Sequence, residues 1–260
     1  MAHTHASPAE QLGDPRLPEA SVRKDQIVVI GDSHIGLADG HEKPVIAWID
    51  RLEALAPRAL YLNGDLFHYL IAHSKFVTPS VERVFDRFRA FRDSGVPVHY
   101  VEGNRDFFLK GSFVEASVTD VALRYDIEAG ERRYLVVHGD MINERDWPYR
   151  FWRRASKNPI SKAAISLIPK RTARNFVDSV EQRLSKTNFK HKSNLPLDLM
   201  KRYAVRRGAE GYTDVVFGHF HEKVVMPAEG VTLTILPPWY ETGEAMIIDP
   251  ATGEFSFAVI

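Results

Sequence analysis

At 260 residues, with 44% hydrophobic and 26% charged residues, the chain has the composition of a soluble globular protein and enough length for one α/β domain with an insertion. It contains no cysteine, which excludes disulfides, thiolate metal sites and cysteine nucleophiles, so a bound metal needs His, Asp, Glu or Asn ligands. The formal net charge is zero, although the charges are unevenly distributed along the chain.

The first 24 residues are polar and rich in Pro and Ala, without the apolar centre of a signal peptide. We expect residues 1–24 to be a disordered lead-in and residues 25–260 to form a single domain. No apolar run approaches the roughly 20 residues of a transmembrane helix, and the expected location is the cytoplasm.

In chain order, five short apolar runs each end in a polar loop: QIVVIGDSH, RALYLNGDLFH, VPVHYVEGNRD, RRYLVVHGD and TDVVFGHFH. Helical patterns separate the first three runs, at KPVIAWIDRLEALAP and TPSVERVFDRFRAFRDSG. The second helix should begin at Thr78 as N-cap, with Pro79 in its first turn, and stop at Gly95. Further strands are expected at VTLTILP, AMIIDP and FSFAVI. The alternation of strands and helices predicts a layered α/β fold.

A stretch from about residue 145 to 210 interrupts this rhythm. It has several helical segments broken by Pro and Asn, and it carries 17 Lys and Arg against 5 Asp and Glu. The segment therefore has a charge of +12 and the rest of the chain −12. We interpret it as a helical insertion that either meets an anionic partner or simply has solvated basic helix faces.

The five polar loops concentrate residues that can bind a cation or an anionic group. Sites in α/β sheets form at the carboxyl ends of strands, so we expect these side chains to meet. In extended backbone, residues i and i+2 point to the same side, so the D-x-H and H-x-H pairs should each face one site. The polar residues of these loops are Asp32, His34, Asp65, Asn104, Arg105, Asp106, His138, Asp140, His219 and His221.

A pair of divalent ions fits these residues. Two such ions about 3.5–4 Å apart can hold a bridging hydroxide that attacks phosphorus, and can clamp a phosphoryl oxygen. Their repulsion calls for a shared carboxylate, and Arg105 can neutralise charge on phosphoryl oxygens. One motif alone is more often a turn or a surface histidine, but five at successive strand ends predict a dinuclear site. The role of His68 stays open, and no role is given to His3, His5, His41, His73, His99 and His191.

At these residues the chain resembles the calcineurin-like metallophosphoesterases, whose motifs D-x-H, G-D-x-x-[DE], G-N-[HR]-[DE], H-G-D and G-H-x-H occur here in that order. The resemblance implies a four-layer α/β fold, with two mixed β-sheets flanked by helices and a helical cap insertion. It also implies two metal ions per chain. One ion would be held by Asp32, His34, Asp65 and His221. The other would be held by Asp65, Asn104, His138 and His219.

A narrower resemblance is to the UDP-2,3-diacylglucosamine pyrophosphatases of lipid A synthesis. It rests on GNRDFFLKGSF, with Arg105 where many relatives have His, and on HGDMINERDWPYRFWRRASKNP and RLSKTNFKHKSN. It implies Mn²⁺ as cofactor (with Fe, Zn or Mg as alternatives), products UMP and 2,3-diacylglucosamine 1-phosphate, an acyl-chain chamber in the cap, and peripheral association with the cytoplasmic membrane. The sequence departs from the usual pattern at Ser33, at His68 and at Phe220 with the Glu-Lys that follows the motif.

The resemblance implies roles for further residues. The catalytic candidates are Asn104, Arg105 and Asp106. The substrate-binding candidates are Arg105, Tyr149, Ser185, Asn188, Lys190 and Lys192. A soluble phosphodiesterase or phosphatase acting on nucleotides remains an alternative, and a non-catalytic scaffold is disfavoured because every ligand is present. The aromatic and aliphatic residues of the insertion favour an acyl chamber, and we expect no nucleic-acid partner.

Overall fold

The computed structural model describes residues 24–36, 42–169, 172 and 195–260. All of the predicted lead-in except Lys24 lies outside the described residues, and so do four predicted substrate-binding residues, Ser185, Asn188, Lys190 and Lys192. Within the described ranges, no helix combines the length and apolarity needed to cross a bilayer.

Short strands alternate with helices in the first half of the chain and dominate the second half. The strands are β1 (Ile27–Ile30), β2 (Ala59–Leu62), β3 (Leu70–Ile71), β4 (Val98–Val101), β5 (Asp106–Phe107), β6 (Asp120–Ala122), β7 (Arg124–Ala129), β8 (Arg132–Val137), β9 (Asp214–Phe217), β10 (Val224–Ala228), β11 (Val231–Ile235), β12 (Glu244–Ile248) and β13 (Phe255–Val259). The helices are α1 (Glu42–Leu55), α2 (Pro79–Asp93), α3 (Trp147–Ser156), α4 (Pro159–Leu167), α5 (Leu197–Gly208) and α6 (Trp239–Thr242), with a 3₁₀ turn at Glu115–Ser117.

Two mixed sheets form the centre of the fold. The six-stranded sheet has the order β13-β12-β1-β2-β4-β6, in which β1, β2, β4 and β6 are parallel and β12 is antiparallel to β1. The five-stranded sheet has the order β10-β11-β9-β8-β7, in which β11, β9 and β8 are parallel. A small parallel pair, β3 and β5, lies beside them.

The strands bury side chains on both faces, which explains their nearly continuous apolar sequences. In β1, Val28 belongs to the cluster that α1 and α2 form with Trp48. The next residue, Val29, belongs to the cluster between the two sheets, together with Val136 of β8. Met200 of α5 packs in a third cluster, on the outer face of the five-stranded sheet. The layers are therefore helix, sheet, sheet and helix, which confirms the predicted fold class.

The predicted second helix is confirmed as α2, and local chemistry sets its ends. The Thr78 hydroxyl accepts a hydrogen bond from the backbone N–H of Val81 at 3.3 Å, which caps the first turn. Pro79 occupies the first helical position, where no donor is lost. After the helix, Gly95 has φ of +99°, a left-handed conformation that stops it.

The insertion divides into two parts in the structure. Helix α4 packs beside the small pair of strands, where Ile165 contacts the cluster around Phe107. Helix α5 lies within the range expected for the insertion, yet it forms the outer layer on the five-stranded sheet through Met200 and Tyr203. Its apolar residues recur at helical spacing, so they bury one face against that sheet. Only α3 and α4, among the described residues, have the position of a cap.

Removing a core aromatic should cost far more stability than removing an exposed one. Phe88 is fully buried between α2 and the sheet, whereas Phe151 on α3 is 74% exposed. We expect Phe88→Ala to lower the free energy of unfolding by about 3–5 kcal/mol because it leaves a cavity. Phe151→Ala should change it by less than about 0.5 kcal/mol. Urea unfolding of both variants measures the difference, and equal effects would contradict the layered packing.

Candidate metal centre

Five polar loops meet at the carboxyl ends of strands from both sheets. Three loops follow β1, β2 and β4 of the six-stranded sheet, and two follow β8 and β9 of the five-stranded sheet. Each loop comes directly after its strand, as predicted. The parallel arrangement of the strands within each sheet brings their carboxyl ends to the same edge, which is why residues far apart in sequence converge here.

Asp32, His34 and His221 form the first group of ligand side chains. One donor atom of each lies within 4.8 Å of the other two. The Nε2 atoms of His34 and His221 are 3.0 Å apart. The Oδ1 atom of Asp32 lies 3.7 Å from His34 Nε2 and 3.4 Å from His221 Nε2. The two histidines therefore face the same carboxylate.

Asp65, His138 and His219 form the second group. The Nε2 atom of His138 lies 3.6 Å from Asp65 Oδ2. Asn104 joins this group, because its Oδ1 atom is 3.0 Å from His138 Nε2 and 2.9 Å from His219 Nδ1. The structure thus divides the seven predicted ligands between two groups. A bridging role for Asp65 stays a prediction.

The ligand residues adopt an unusual backbone conformation. Asp32, His34, Asp65, His219 and His221 all have positive φ, between 43° and 68°, a region that residues other than glycine rarely occupy. The expectation that extended backbone aligns the D-x-H and H-x-H pairs is therefore wrong. Asp32 and His34 share the first group, whereas His219 and His221 belong to different groups. All four residues hold a left-handed backbone, at a cost on the order of 1–3 kcal/mol per residue.

Two glycines allow the loops to approach each other. Gly64 has φ of +79°, and a Cβ atom there would lie 2.5 Å from His138 Nδ1. A Cβ atom on Gly103 would collide with the carboxylate of Asp65. Any larger residue at either position would push apart the loops that carry the second ligand group.

No sequence pattern identified Asn63 as a residue of the site. Its buried side chain donates from Nδ2 to the carbonyl of Val137 at 3.0 Å. Its own carbonyl accepts from Nδ1 of His138 at 2.9 Å, which leaves Nε2 of that ring to face the ligand group. Asn63 therefore links the end of β2 to the end of β8 and orients one predicted ligand.

Burial and neighbouring charges shift the pKa values of the first group. Burial would raise the pKa of Asp32, but its contact with the His221 ring and the charges of the neighbouring histidines lower it overall. Burial lowers the pKa of His34 to about 3, despite the carboxylates of Asp32 and Asp65. At neutral pH this group therefore holds an ionised carboxylate beside a neutral imidazole, the forms that bind a metal ion.

Burial and neighbouring charges also shift the pKa values of the second group. Burial would lower the pKa of His138, but the adjacent Asp65 carboxylate raises it to about 10, while His138 lowers the pKa of Asp65. Burial, followed by the charge of His138, lowers the pKa of His219 to about 4. A cation bound here would neutralise the Asp65 carboxylate in place of the His138 proton, and His138 would lose that proton.

The donor atoms fit a divalent cation. Each group combines a carboxylate with imidazoles, and this mixture suits Mn²⁺, Fe²⁺, Zn²⁺ or Mg²⁺. The Oδ1 atom of Asp32 is buried and accepts no hydrogen bond from a described residue, while Oδ2 accepts one from the backbone N–H of His219 at 2.8 Å. Leaving a buried carboxylate oxygen unpaired is costly, and coordination of a cation would satisfy it.

Asp106, a predicted catalytic residue, supports the loops from behind. Its Oδ2 atom accepts hydrogen bonds from the backbone N–H groups of Gly103 at 2.8 Å and Asp65 at 3.1 Å. Its Oδ1 atom accepts from the Tyr100 hydroxyl at 3.2 Å. Burial, and then the charge of Asp65, raises the pKa of Asp106 to about 7. These contacts favour a positioning role for Asp106.

Arg105 lies beside the second group and contacts His68. Its Nε atom is 3.3 Å from Asp65 Oδ2, and its backbone N–H donates to Asp65 Oδ1 at 2.9 Å. Its Nη1 atom lies 3.2 Å from His68 Nδ1 and donates to the His68 carbonyl at 3.2 Å. Burial and the charge of Arg105 lower the pKa of His68 to about 4, so His68 is a neutral partner. The sequence left the role of His68 open, and in the structure His68 contacts Arg105.

Two more residues border the site. The hydroxyl of Tyr149, a predicted substrate-binding residue, donates to Asp140 Oδ2 at 2.5 Å. The ring of Tyr240, on α6, lies edge-on to His34 with the centroids 5.3 Å apart, and 5.9 Å from the ring of His221. No motif marked Tyr240 in the sequence.

Comparison with known proteins identifies the family. Residues 26–223 match the family described as calcineurin-like phosphoesterase. The match spans well over half of the chain, and the chain belongs to this family. It is accordingly a metal-dependent phosphoesterase, a hydrolase that acts on a phosphoester substrate with divalent metal ions.

Individual relatives carry a more specific name. A Pseudomonas putida protein named UDP-2,3-diacylglucosamine hydrolase is 29% identical over 236 residues, which covers 86% of this chain and 95% of the relative. A Vibrio vulnificus protein of the same name is 29% identical over 205 residues, covering 75% and 82%. Among solved structures, a dimetal phosphatase from Danio rerio aligns with a TM-score of 0.47 and 14% identity, over 91% of this chain and 99% of the other.

Replacing Asp65 should abolish activity without unfolding the chain. Asp65→Ala and Asp65→Asn both remove the negative charge that two neighbouring cations would share, and only Asp65→Asn keeps an acceptor for the Arg105 N–H. We expect the wild type to bind two Mn²⁺ per chain, and both variants to bind fewer and to lose phosphoesterase activity. Elemental analysis, circular dichroism and turnover at saturating Mn²⁺ measure these effects. Turnover near that of the wild type in either variant would refute the assignment.

Replacing Arg105 should slow turnover more than it weakens metal binding. We place its guanidinium on the phosphoryl oxygens, where a lost charge-assisted contact costs about 2–4 kcal/mol in the transition state. Arg105→Ala should therefore lower kcat by roughly 30- to 1000-fold. Arg105→Lys, which keeps the charge but loses the planar fork, should lie between. A rate that simply follows metal occupancy in a Mn²⁺ titration would rule out this role.

Proposed function

We propose that the chain hydrolyses the pyrophosphate bond of UDP-2,3-diacylglucosamine. Water adds to one phosphorus atom, the bridging oxygen leaves with the other, and the products are UMP and 2,3-diacylglucosamine 1-phosphate. The reaction belongs to lipid A synthesis. The observation that carries the proposal is the similarity, over 86% of this chain, to a Pseudomonas putida protein named for hydrolysis of this compound.

The proposal assigns both ligand groups to metal ions. Asp32, His34 and His221 would hold one ion with Asp65, and Asp65 would hold the other with Asn104, His138 and His219. Mn²⁺ is the proposed native ion, and the same nitrogen and oxygen donors accept Fe, Zn or Mg. Divalent ions supply activation of water and neutralisation of phosphoryl charge.

The protein side chains orient the pyrophosphate. Arg105 is held from two sides, by Asp65 at 3.3 Å and by the His68 carbonyl at 3.2 Å, so its guanidinium has a fixed direction. It binds the phosphoryl oxygens and stabilises the charge that develops on them. Asp106 holds the Asp65 and Gly103 backbones in place through its two hydrogen bonds. Arg105 and Tyr149 are the two described members of the proposed substrate-binding set.

An apolar surface on the cap supports an acylated substrate. Trp147 and Phe151 on α3 are 75% and 74% exposed, and Ile160 and Leu167 on α4 are 80% and 84% exposed. Exposed apolar patches mark sites that contact a ligand, a partner or a membrane, and these four side chains lie on two consecutive helices of the cap. Helix α3 also contacts the loops of the second ligand group through Tyr149. Acyl chains on this surface would therefore lie next to the scissile pyrophosphate.

The enzyme would meet this substrate at a membrane surface. The basic segment between residues 145 and 210, with its charge of +12, is continuous in sequence with the apolar surface of the cap. Basic residues near an anionic leaflet contribute about 1 kcal/mol each, which suffices for reversible peripheral binding. We propose that the chain acts on the cytoplasmic face of the membrane.

Acylation of the substrate should raise kcat/KM. Each buried CH₂ group contributes roughly 0.8 kcal/mol, so a few buried groups should raise kcat/KM by about 100-fold or more over deacylated UDP-glucosamine. Phe151→Ala should reduce this preference and leave the rate on a small aryl phosphodiester unchanged. Steady-state kinetics on the three substrates, with liposome flotation at low and physiological salt, measure these effects.

Two outcomes would contradict the proposal. Equal kcat/KM for acylated and deacylated substrates, without flotation at either salt, would favour a soluble phosphodiesterase acting on nucleotides. An aryl phosphodiester rate that falls in parallel with the lipid rate in Phe151→Ala would contradict the role of this surface in binding acyl chains.

A further inference from the structure

Arg153 is a buried arginine on the inner side of α3. Its side chain is 7% exposed, whereas the next residue, Arg154, is exposed to solvent. Its Nε atom is 3.3 Å from the Asp140 carboxylate, and its Nη1 atom is 3.3 Å from the Glu102 carboxylate. Its Nη1 and Nη2 atoms also donate to the carbonyls of Gly103 at 3.4 Å and Glu102 at 3.2 Å. All three nitrogen atoms of the guanidinium therefore contact protein acceptors.

Lys157, one helical turn later, reaches the same loop. Its Nζ atom donates to the carbonyl of Gly103 at 2.6 Å and to the Glu102 carboxylate at 3.0 Å. It also lies over the ring of Phe107, 5.0 Å from the ring centroid. Two cations, Arg153 on α3 and Lys157 at its C-cap, thus converge on the Gly103 carbonyl and on the Glu102 carboxylate. Such a closed network of buried charges is disrupted when any one member is removed.

These contacts end next to two predicted metal ligands. Gly103 immediately precedes Asn104, so its carbonyl belongs to the peptide that carries the Asn104 N–H. Asp140 lies two residues after His138. Asn104 and His138 in turn contact each other at 3.0 Å. Arg153 therefore connects two loops, one from each sheet, at the points where they present ligands of the second group.

The first ligand group has no comparable support from α3. Among the described residues, the polar side-chain contacts of α3 outside the helix itself go to Glu102, Gly103 and Asp140. None goes to the loops that carry Asp32 or His221. Docking of the cap should consequently affect the two groups unequally.

We propose that Arg153 is a positioning residue for the second metal group. By holding the Gly103 peptide and the Asp140 carboxylate together, it fixes the distance between Asn104 and His138. The cap helix is then part of the scaffold of one metal site as well as a surface for the substrate. The inference rests on the two-ion centre of the proposed function and is independent of the lipid substrate.

Metal titration of the full chain tests this role. We expect calorimetry with Mn²⁺ to give two ions per wild-type chain, and electron paramagnetic resonance to give the spectrum of a spin-coupled pair. In Arg153→Gln one ion should bind with the affinity seen in the wild type. The other should bind about 10- to 100-fold more weakly, the usual effect of removing a group that orients a metal ligand. The spectrum at one equivalent should be that of an isolated Mn²⁺.

The neighbouring arginine provides a matched control. Arg154 is exposed, and its side chain makes no hydrogen bond or ion pair with a described residue. Arg154→Gln should therefore bind both ions like the wild type. Arg153→Lys keeps the charge and should recover part of the lost affinity. Asp140→Asn removes one partner of Arg153 from the other side, and it should weaken the same ion if Arg153→Gln proves difficult to fold.

Three results would overturn the inference. Arg153→Gln could bind both ions with the affinities of the wild type, or it could weaken both equally, which would indicate general loosening of the fold. A wild-type chain that saturates with one ion would remove the two-ion premise and the inference with it. Failure of the lipid substrate would leave the titration unchanged, so the two proposals fail separately.

Discussion

The site depends on the pair of hydrogen bonds that Asn63 makes between the two sheets. Its side chain donates to the carbonyl of Val137, and its carbonyl accepts from the ring of His138. Four of the seven ligands come from loops of the six-stranded sheet and three from loops of the five-stranded sheet, and these two hydrogen bonds join the end of β2 to the end of β8. Asn63 is buried, and hydrogen bonds are stronger in the protein interior than in water. The relative positions of the ligand loops from the two sheets therefore depend on Asn63.

The packing that stabilises the fold lies in the layers behind the metal centre. The ligand loops combine left-handed backbone at Asp32, His34 and Asp65 with buried carboxylates, and both features are unfavourable in themselves. The layers behind them contain fully buried aromatic and branched side chains such as Trp48 and Phe88. The rigid apolar packing in these layers holds the loops in place. Strained backbone can persist at a functional site because the surrounding structure prevents it from relaxing.

Much of the fold and of the ligand set could be predicted from the sequence, because both rest on local patterns. Strand ends follow from apolar runs that stop at a glycine or a polar residue, and α2 follows from its cap and its spacing. Residues whose role depends on a distant partner escaped prediction. Asn63 acts on a residue 75 positions away, and Arg153 on Gly103, 50 positions away. Left-handed backbone at His34 or His221 also has no signature, because side-chain chemistry and not glycine selects those positions.

The pairing of the first strand has a consequence for synthesis of the chain. Strand β1 lies between β2 and β12, so one of its edges pairs with residues that follow it by more than 200 positions. At about 5–20 residues per second, that edge waits roughly 10–40 s on the ribosome before its partner emerges. During this interval the apolar strand Ile27–Ile30 presents unpaired N–H and C=O groups. Nascent chains of this fold therefore pass through a stage in which protection by chaperones matters more than it does for the finished protein.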